Sequence, residues 1–112
     1  MRKTQLGEFE EIVLLIVATL GDNAYGVSIN EAIELQTGRD LSISAIHATL
    51  HRLQKKGYVK SYMGGASAER GGRRKRFFII TPLGSRTLHA IRDLREQLWN
   101  QVPGNALHPK TT

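Results

Sequence analysis

The sequence contains no cysteine. That absence excludes a disulfide framework, Cys-based zinc sites, iron–sulfur clusters and thiol catalysis together. It fits a reducing compartment, and a cytoplasmic location is expected. A membrane-spanning run is also missing. The longest apolar stretch, Ile12 to Leu20, falls far short of the roughly 20 residues that a spanning helix needs. Arg2 and Lys3 precede it as in a signal peptide, but Glu8, Glu10 and Glu11 intervene, and no small-x-small cleavage site follows. The run therefore reads as core. Catalytic motifs are scarce as well. There is no Gly-x-Ser-x-Gly elbow and no paired-carboxylate motif. Gly71-Gly72 lacks the Gly-Lys-Ser/Thr ending of a phosphate loop. His47 and His51 are spaced i, i+4, but no Glu follows His47 and no third ligand is evident, so ordinary polar roles are expected for both. Neither an enzyme nor a metal or cofactor is expected.

What is present is a segregated charge. The 112 residues carry 16 Lys plus Arg against 10 Asp plus Glu, a formal net charge of +6. The length is that of one domain with a real core, and the excess of base suggests an anionic partner, nucleic acid first among them. The sum hides its distribution. Seven acids and one base, Arg39, lie between Glu8 and Asp40. Nine bases and one acid, Glu69, lie between His51 and Arg76. A uniformly solvated surface does not usually sort itself this way.

Periodicity and punctuation predict four helices and a hairpin. Glu8–Leu20 is the first helix, apolar almost all round, which hints that a second chain covers part of it. Gly21-Asp22-Asn23 breaks it. Tyr25–Thr37 is the second helix, with Gly38 where a left-handed cap belongs. Arg39-Asp40-Leu41 reads as a short connection and a candidate extended strand. Ser42–Lys56 is the third helix, N-capped by Ser42, with Ile43, Ile46, Leu50 and Leu53 on one buried face. Tyr58–Met63 and Lys75–Ile80 read as strands flanking a Gly- and Arg-rich loop. Thr81-Pro82 starts the last helix, which Pro103-Gly104 stops. Three helices followed by a β-hairpin make a winged helix-turn-helix, mainly α with a β-hairpin wing. Residues 1–104 form the domain, 82–102 its dimerisation helix, and 105–112 a tail.

On this plan the third helix enters the major groove. Its outer positions are small near the start (Ser42, Ser44, Ala45, Ala48) so that the backbone can approach. Further along come His47, His51, Arg52 and Lys55, with Arg52 suited to a guanine edge and Lys55 to phosphate. In the wing, Gly71, Gly72, Arg73, Arg74, Lys75 and Arg76 join flexibility to dense charge, alternation puts Arg73 and Lys75 on one side, and Arg73, Arg74 and Lys75 are the candidate DNA contacts. The last helix carries Leu88, Ile91, Leu98 and Val102 at heptad-like positions, widened by Leu94 and Trp99 and interrupted by Arg95. With Ile12, Leu15 and Ile16 of the first helix they form the expected homodimer interface.

These residues resemble the PadR family of bacterial transcriptional regulators. The likeness runs from Leu6 to about Gln101. It is carried by Leu6-Gly7-Glu8-Phe9-Glu10-Glu11, by Tyr25-Gly26-Val27-Ser28-Ile29, by Leu50-His51-Arg52-Leu53 through Gly57-Tyr58-Val59, and by Gly71-Gly72-Arg73-Arg74-Lys75-Arg76 through Thr81-Pro82-Leu83-Gly84. The resemblance implies a homodimeric repressor of the short subfamily, in which the last helix of one subunit packs on the first helix of the other. It implies double-stranded DNA contact through the third helix and the wing. It also implies a small aromatic or hydrophobic effector between the subunits, for which Trp99 and Arg95 are the candidate contacts. The chain departs from the family in having His47-Ala48 where Tyr-Pro is usual, and Arg95 where an aromatic often lines the pocket. Two other readings stay open: a winged-helix protein-interaction module, and a small-molecule-binding protein without a DNA role.

Overall fold

A computed structural model describes residues 6–64 and 74–107. The first helix, α1 (Glu8–Leu20), ends in a 3-10 turn, Gly21–Asn23, and leads to α2 (Gly26–Thr37) and α3 (Ile43–Lys55). Strands β1 (Val59–Gly64) and β2 (Lys75–Ile80) follow, and α4 (Pro82–Gln101) closes the chain. The element order is the expected one, a mainly helical winged helix-turn-helix.

Local chemistry sets each boundary. α1 begins at Gly7, whose N–H donates to Glu10 Oε1 at 3.0 Å. Glu8, Glu10 and Glu11 occupy its first turn, where the helix dipole favours acids. Gly38 caps α2 in the left-handed region at φ 75° and donates to the Glu34 carbonyl, as its sequence position predicts. Ser42 accepts from the Ala45 N–H at 3.1 Å to cap α3. Thr81 does the same for α4, accepting from the Gly84 N–H at 3.0 Å, with Pro82 in the first turn. The Thr81 hydroxyl also donates to the Gly57 carbonyl at 2.7 Å, tying the start of α4 to the turn before β1.

The core lies among the first three helices and the base of the hairpin. Val13, Leu14 and Val17 of α1 meet Ile29 and Ile33 of α2 and Ile46, Leu50 and Leu53 of α3, with Val59 and Phe78 below them. Two details differ from the sequence reading. Ile43 is exposed and Thr49 is buried in its place. Ile43 is the first residue of α3, where the helix has not yet turned fully onto the core. Arg39–Leu41 forms no strand. The extra bridge is made instead by Tyr25 opposite Phe77, with the Phe78 N–H donating to the Ala24 carbonyl at 2.8 Å. The unpaired edge of β2 thereby finds a partner just before α2.

The hairpin is antiparallel, with Val59 opposite Ile80 and Gly64 opposite Lys75. Alternation then sorts its side chains. Ser61, Met63, Phe78 and Arg76 share the face that turns to α3. Lys60, Tyr62, Phe77 and Lys75 share the other. On that second face Tyr62 stacks on Phe77 at 5.6 Å and Phe77 meets Tyr25 edge-on at 5.4 Å. These rings brace the wing against the residue that opens α2.

Gly84 marks a close approach of α4 to the base of the hairpin. A Cβ there would fall inside contact distance of the Tyr58 carbonyl oxygen and 2.9 Å from Ile80. The obstacle includes backbone, which cannot swing aside. Gly84→Ala is therefore expected to destabilise the fold by about 1–3 kcal/mol, the usual cost of overpacking. A lower urea midpoint with an unchanged slope checks it.

Candidate nucleic-acid interface

Helix α3 and the wing enclose an open groove of about 870 Å³. His47, Ala48, His51, Gln54 and Lys55 line one wall, and Arg76 and Phe78 line the other. Phe78 is rooted in the core, so the wing wall has a fixed base. Arg76 donates to Ser61 Oγ at 3.0 Å, which holds its guanidinium on the groove side of the hairpin. His47 sits over the first residue of α2: a Cβ on Gly26 would come within 2.9 Å of its Nε2. A glycine at that helix start is thus what lets the imidazole lie between α2 and the groove. Among the described residues no cluster of three or more metal-ligating side chains forms, and His47 and His51 stand as a pair in a basic groove.

The predicted DNA-facing residues separate under this geometry. Ser44, His47, Ala48, His51 and Lys55 are exposed on α3, and Ser42 and Ala45 serve its first turn. Arg74 is exposed at the described end of the wing. Arg73 lies outside the described residues, as does the basic tip from 65 to 73. Lys75 is turned away from α3. Its ammonium lies 4.2 Å from the centre of the Tyr25 ring, on the aromatic face of the hairpin. Its neighbour Arg76, a wing base not singled out as a candidate DNA contact, lines the groove instead. Strand alternation fixes which of two adjacent bases faces α3, and that register is invisible until the strands are paired.

Arg52 also leaves the groove. Its Nε donates to Glu10 Oε2 at 3.0 Å and its terminal nitrogen to Thr49 Oγ1 at 3.1 Å. Lys56 reaches the other Glu10 oxygen at 2.9 Å. Glu10 is 7% exposed. Burial by itself pushes its carboxyl up. The hydrogen bonds from Lys56, from the Gly7 N–H and from Arg52 outweigh that, and the net pKa lies below the ordinary value.

A second surface lies between α1 and α4. Glu11, Leu15, Leu88, Arg92, Arg95 and Trp99 are among the residues around a groove of about 430 Å³. Arg95 pairs with Glu11 at 2.9 Å, which explains a base within an apolar stripe. Of the residues assigned to a dimer interface, Leu15, Leu94 and Leu98 are exposed, and Trp99 is 64% exposed. Ile12, Leu88, Ile91 and Val102 are half-buried. Ile16 differs: it is buried among its own chain's core residues, because it falls on the α1 face shared with Val13 and Val17.

The transcriptional regulator PadR-like family model matches residues 13–90, well over half of the chain. The protein belongs to the PadR-like family. Its members are transcription regulators and not enzymes, and this PadR-like chain is a DNA-binding transcription regulator. A transcriptional regulator from Clostridium thermocellum is similar at 26% identity, over 82% of this chain and 86% of its own, with a TM-score of 0.61. A PadR family regulator from hypervirulent Clostridium difficile R20291 shares 24% identity over 85% of this chain and 97% of its own, TM-score 0.67. A PadR-like regulator from Bacillus cereus strain ATCC 14579 shares 20% over 91% and 93%, TM-score 0.70. The last two support the fold alone. A comparison with curated proteins gives no match. No helix among the described residues is long and apolar enough to cross a membrane.

The lowered Glu10 carboxyl makes a pH prediction for this PadR-like domain. A group whose folded-state pKa is depressed stabilises the fold fully above its unfolded pKa, about 4.3 for glutamate, and loses that contribution as pH falls through the folded value. Wild type should be more stable than Glu10→Gln at pH 7, and the gap should narrow below about pH 4. Urea midpoints across pH measure it; a gap that widens in acid would contradict the assignment.

Proposed function

We propose that the protein is a homodimeric repressor that blocks transcription by occupying double-stranded DNA. The observation that carries this reading is the groove between α3 and the wing, walled by His47, His51 and Lys55 on one side and Arg76 on the other. α3 would enter the major groove with Ser42, Ser44, Ala45 and Ala48 allowing close approach, and the wing bases, Arg73 and Arg74 included, would grip the flanking phosphates. A second copy would cover Leu15, Leu94, Leu98 and Trp99, since a face with this much apolar exposure is unusual for a lone small domain. Two recognition helices would then meet the DNA about one helical turn apart. The dimer would carry +12, twice the +6 of one chain. Residues 1–104 would act as one unit, with 105–112 as an appendage, in the cytoplasm. A small aromatic or hydrophobic effector in the groove beside Trp99 and Arg95 would alter the spacing of the two heads and weaken DNA binding.

Two measurements test this. Affinity for duplex DNA, including the region upstream of its own gene, should fall steeply with salt, with a log–log slope of roughly −4 to −8. A flat salt response sinks the DNA reading and favours a protein-interaction module. Leu98→Asp with Trp99→Asp should give a folded monomer by sedimentation, with operator affinity lowered at least about tenfold. A double variant that remains dimeric overturns the proposed interface.

A further inference from the structure

We infer that Glu10, which does not line the groove, is a positioning residue for DNA recognition: it holds Arg52 on the α1 side of α3, so that α3 reads bases without it. The inference rests on the groove being the DNA face. α3 presents two polar flanks. His47, Ala48, His51, Gln54 and Lys55 line the groove, and Arg52 is not among the residues there. On the other flank Arg52 and Lys56 converge on Glu10 of α1, and Thr49 accepts from Arg52.

The hold on Arg52 is built on both sides. Glu10 Oε2 takes its Nε–H, while Oε1 takes the Gly7 N–H and Lys56. Thr49 Oγ1 takes the terminal nitrogen, and Thr49 is itself buried, with its hydroxyl donating to the Ala45 carbonyl at 3.0 Å. Two fixed acceptors in different directions define the plane of a guanidinium. Yet the Arg52 side chain is 52% exposed while that of Glu10 is 10% exposed. The carboxylate is buried and the cation it neutralises stands at the surface, one turn from Lys55. Removing the negative charge would leave a solvent-reachable guanidinium at the edge of the DNA face, where it would take up a phosphate and bind every sequence alike. Glu10 therefore serves specificity by masking a non-specific contact, besides holding α1 to α3.

The test compares wild type, Glu10→Gln, Arg52→Gln, the double variant and Lys55→Ala. Each is titrated over a salt series on a selected operator and on random duplex, with circular dichroism to establish folding. Glu10→Gln should bind random duplex several-fold more tightly and lower the operator-to-random ratio several-fold. Its salt slope on random duplex should steepen by about one per bound subunit. Arg52→Gln in that background should restore the wild-type slope, and Arg52→Gln alone should leave the preference at every base pair unchanged. A folded Glu10→Gln with wild-type slope and ratio overturns the inference. So does relaxed preference at a base pair in Arg52→Gln, which also decides the matter if Glu10→Gln fails to fold. Lys55→Ala separates the two failures. If it leaves affinity for both duplexes unchanged, the groove reading is wrong and the inference falls with it; if it weakens binding while Glu10→Gln behaves as wild type, only the inference falls.

Discussion

A carboxylate shut off from water must have its charge answered inside the protein, and Glu10 has it answered from three directions. The Gly7 N–H comes from the start of its own helix, and Arg52 and Lys56 come from the far end of α3. One side chain thus joins the start of α1 to the end of α3, 42 and 46 residues away in sequence. Apolar packing of Leu14 on Ile46 and Leu50 decides that α1 and α3 lie together, but such contacts tolerate rotation. A buried carboxylate with directional donors does not, and a helix that must present a narrow polar edge to a groove depends on its roll about its own axis. Losing a donor leaves part of a buried charge unanswered, which is costly in a way that repacking an apolar contact is not.

The same logic extends to the other acids in the first turn of α1. Glu8 pairs with Arg39 at 2.7 Å, Glu10 with Arg52 and Lys56, and Glu11 with Arg95 at 2.9 Å. These acids, in the first turn of α1, neutralise bases arriving from the α2–α3 connection, from α3 and from α4. The pairs at Glu8 and Glu11 are largely exposed and contribute little to stability. Their larger effect is on the field. With Glu10 they answer Arg39, Arg52, Lys56 and Arg95, which lie off the groove, and leave Lys55 and Arg76 on its walls outside these pairs. A net charge of +6 distributed evenly would attract DNA to any side of the molecule. In the proposed complex, charge segregated along the chain would favour approach of DNA from the α3 and wing side.

Most of the fold was legible because it is written in local chemistry. Ser42, Gly38 and Thr81-Pro82 announce helix ends through bonds made within three or four residues, and the structure shows each bond. Ile46, Leu50 and Leu53 announce a buried face through period alone. What was not legible depends on pairing across the chain. Whether Lys75 or Arg76 faces α3 turns on the register that sets Met63 opposite Arg76. The bridge at Tyr25 rather than near Asp40 follows from where the loop before α2 passes the free edge of β2. Arg52 has the right spacing on α3 for a base contact, but a buried acid 42 residues earlier claims it, and no periodicity records that claim. Gly84 looked like part of a motif, and only the Tyr58 carbonyl explains why the residue is glycine.

The two surfaces of the molecule meet at the base of α4. Thr81 and Gly84 lock its first turn to the hairpin and to the turn before β1, while its later turns lie open with Leu94, Leu98 and Trp99 exposed. Such a helix is a rigid lever: fixed at the wing end, and held to α1 farther along by the Glu11–Arg95 pair. Whatever covers its apolar face acts on the same rigid body that carries the wing. The wing base, Tyr25 and the start of α2 are braced through Phe77. In the proposed dimer the α1–α4 surface would join the two copies, and a ligand beside Trp99 would act on the contact between them rather than on the groove.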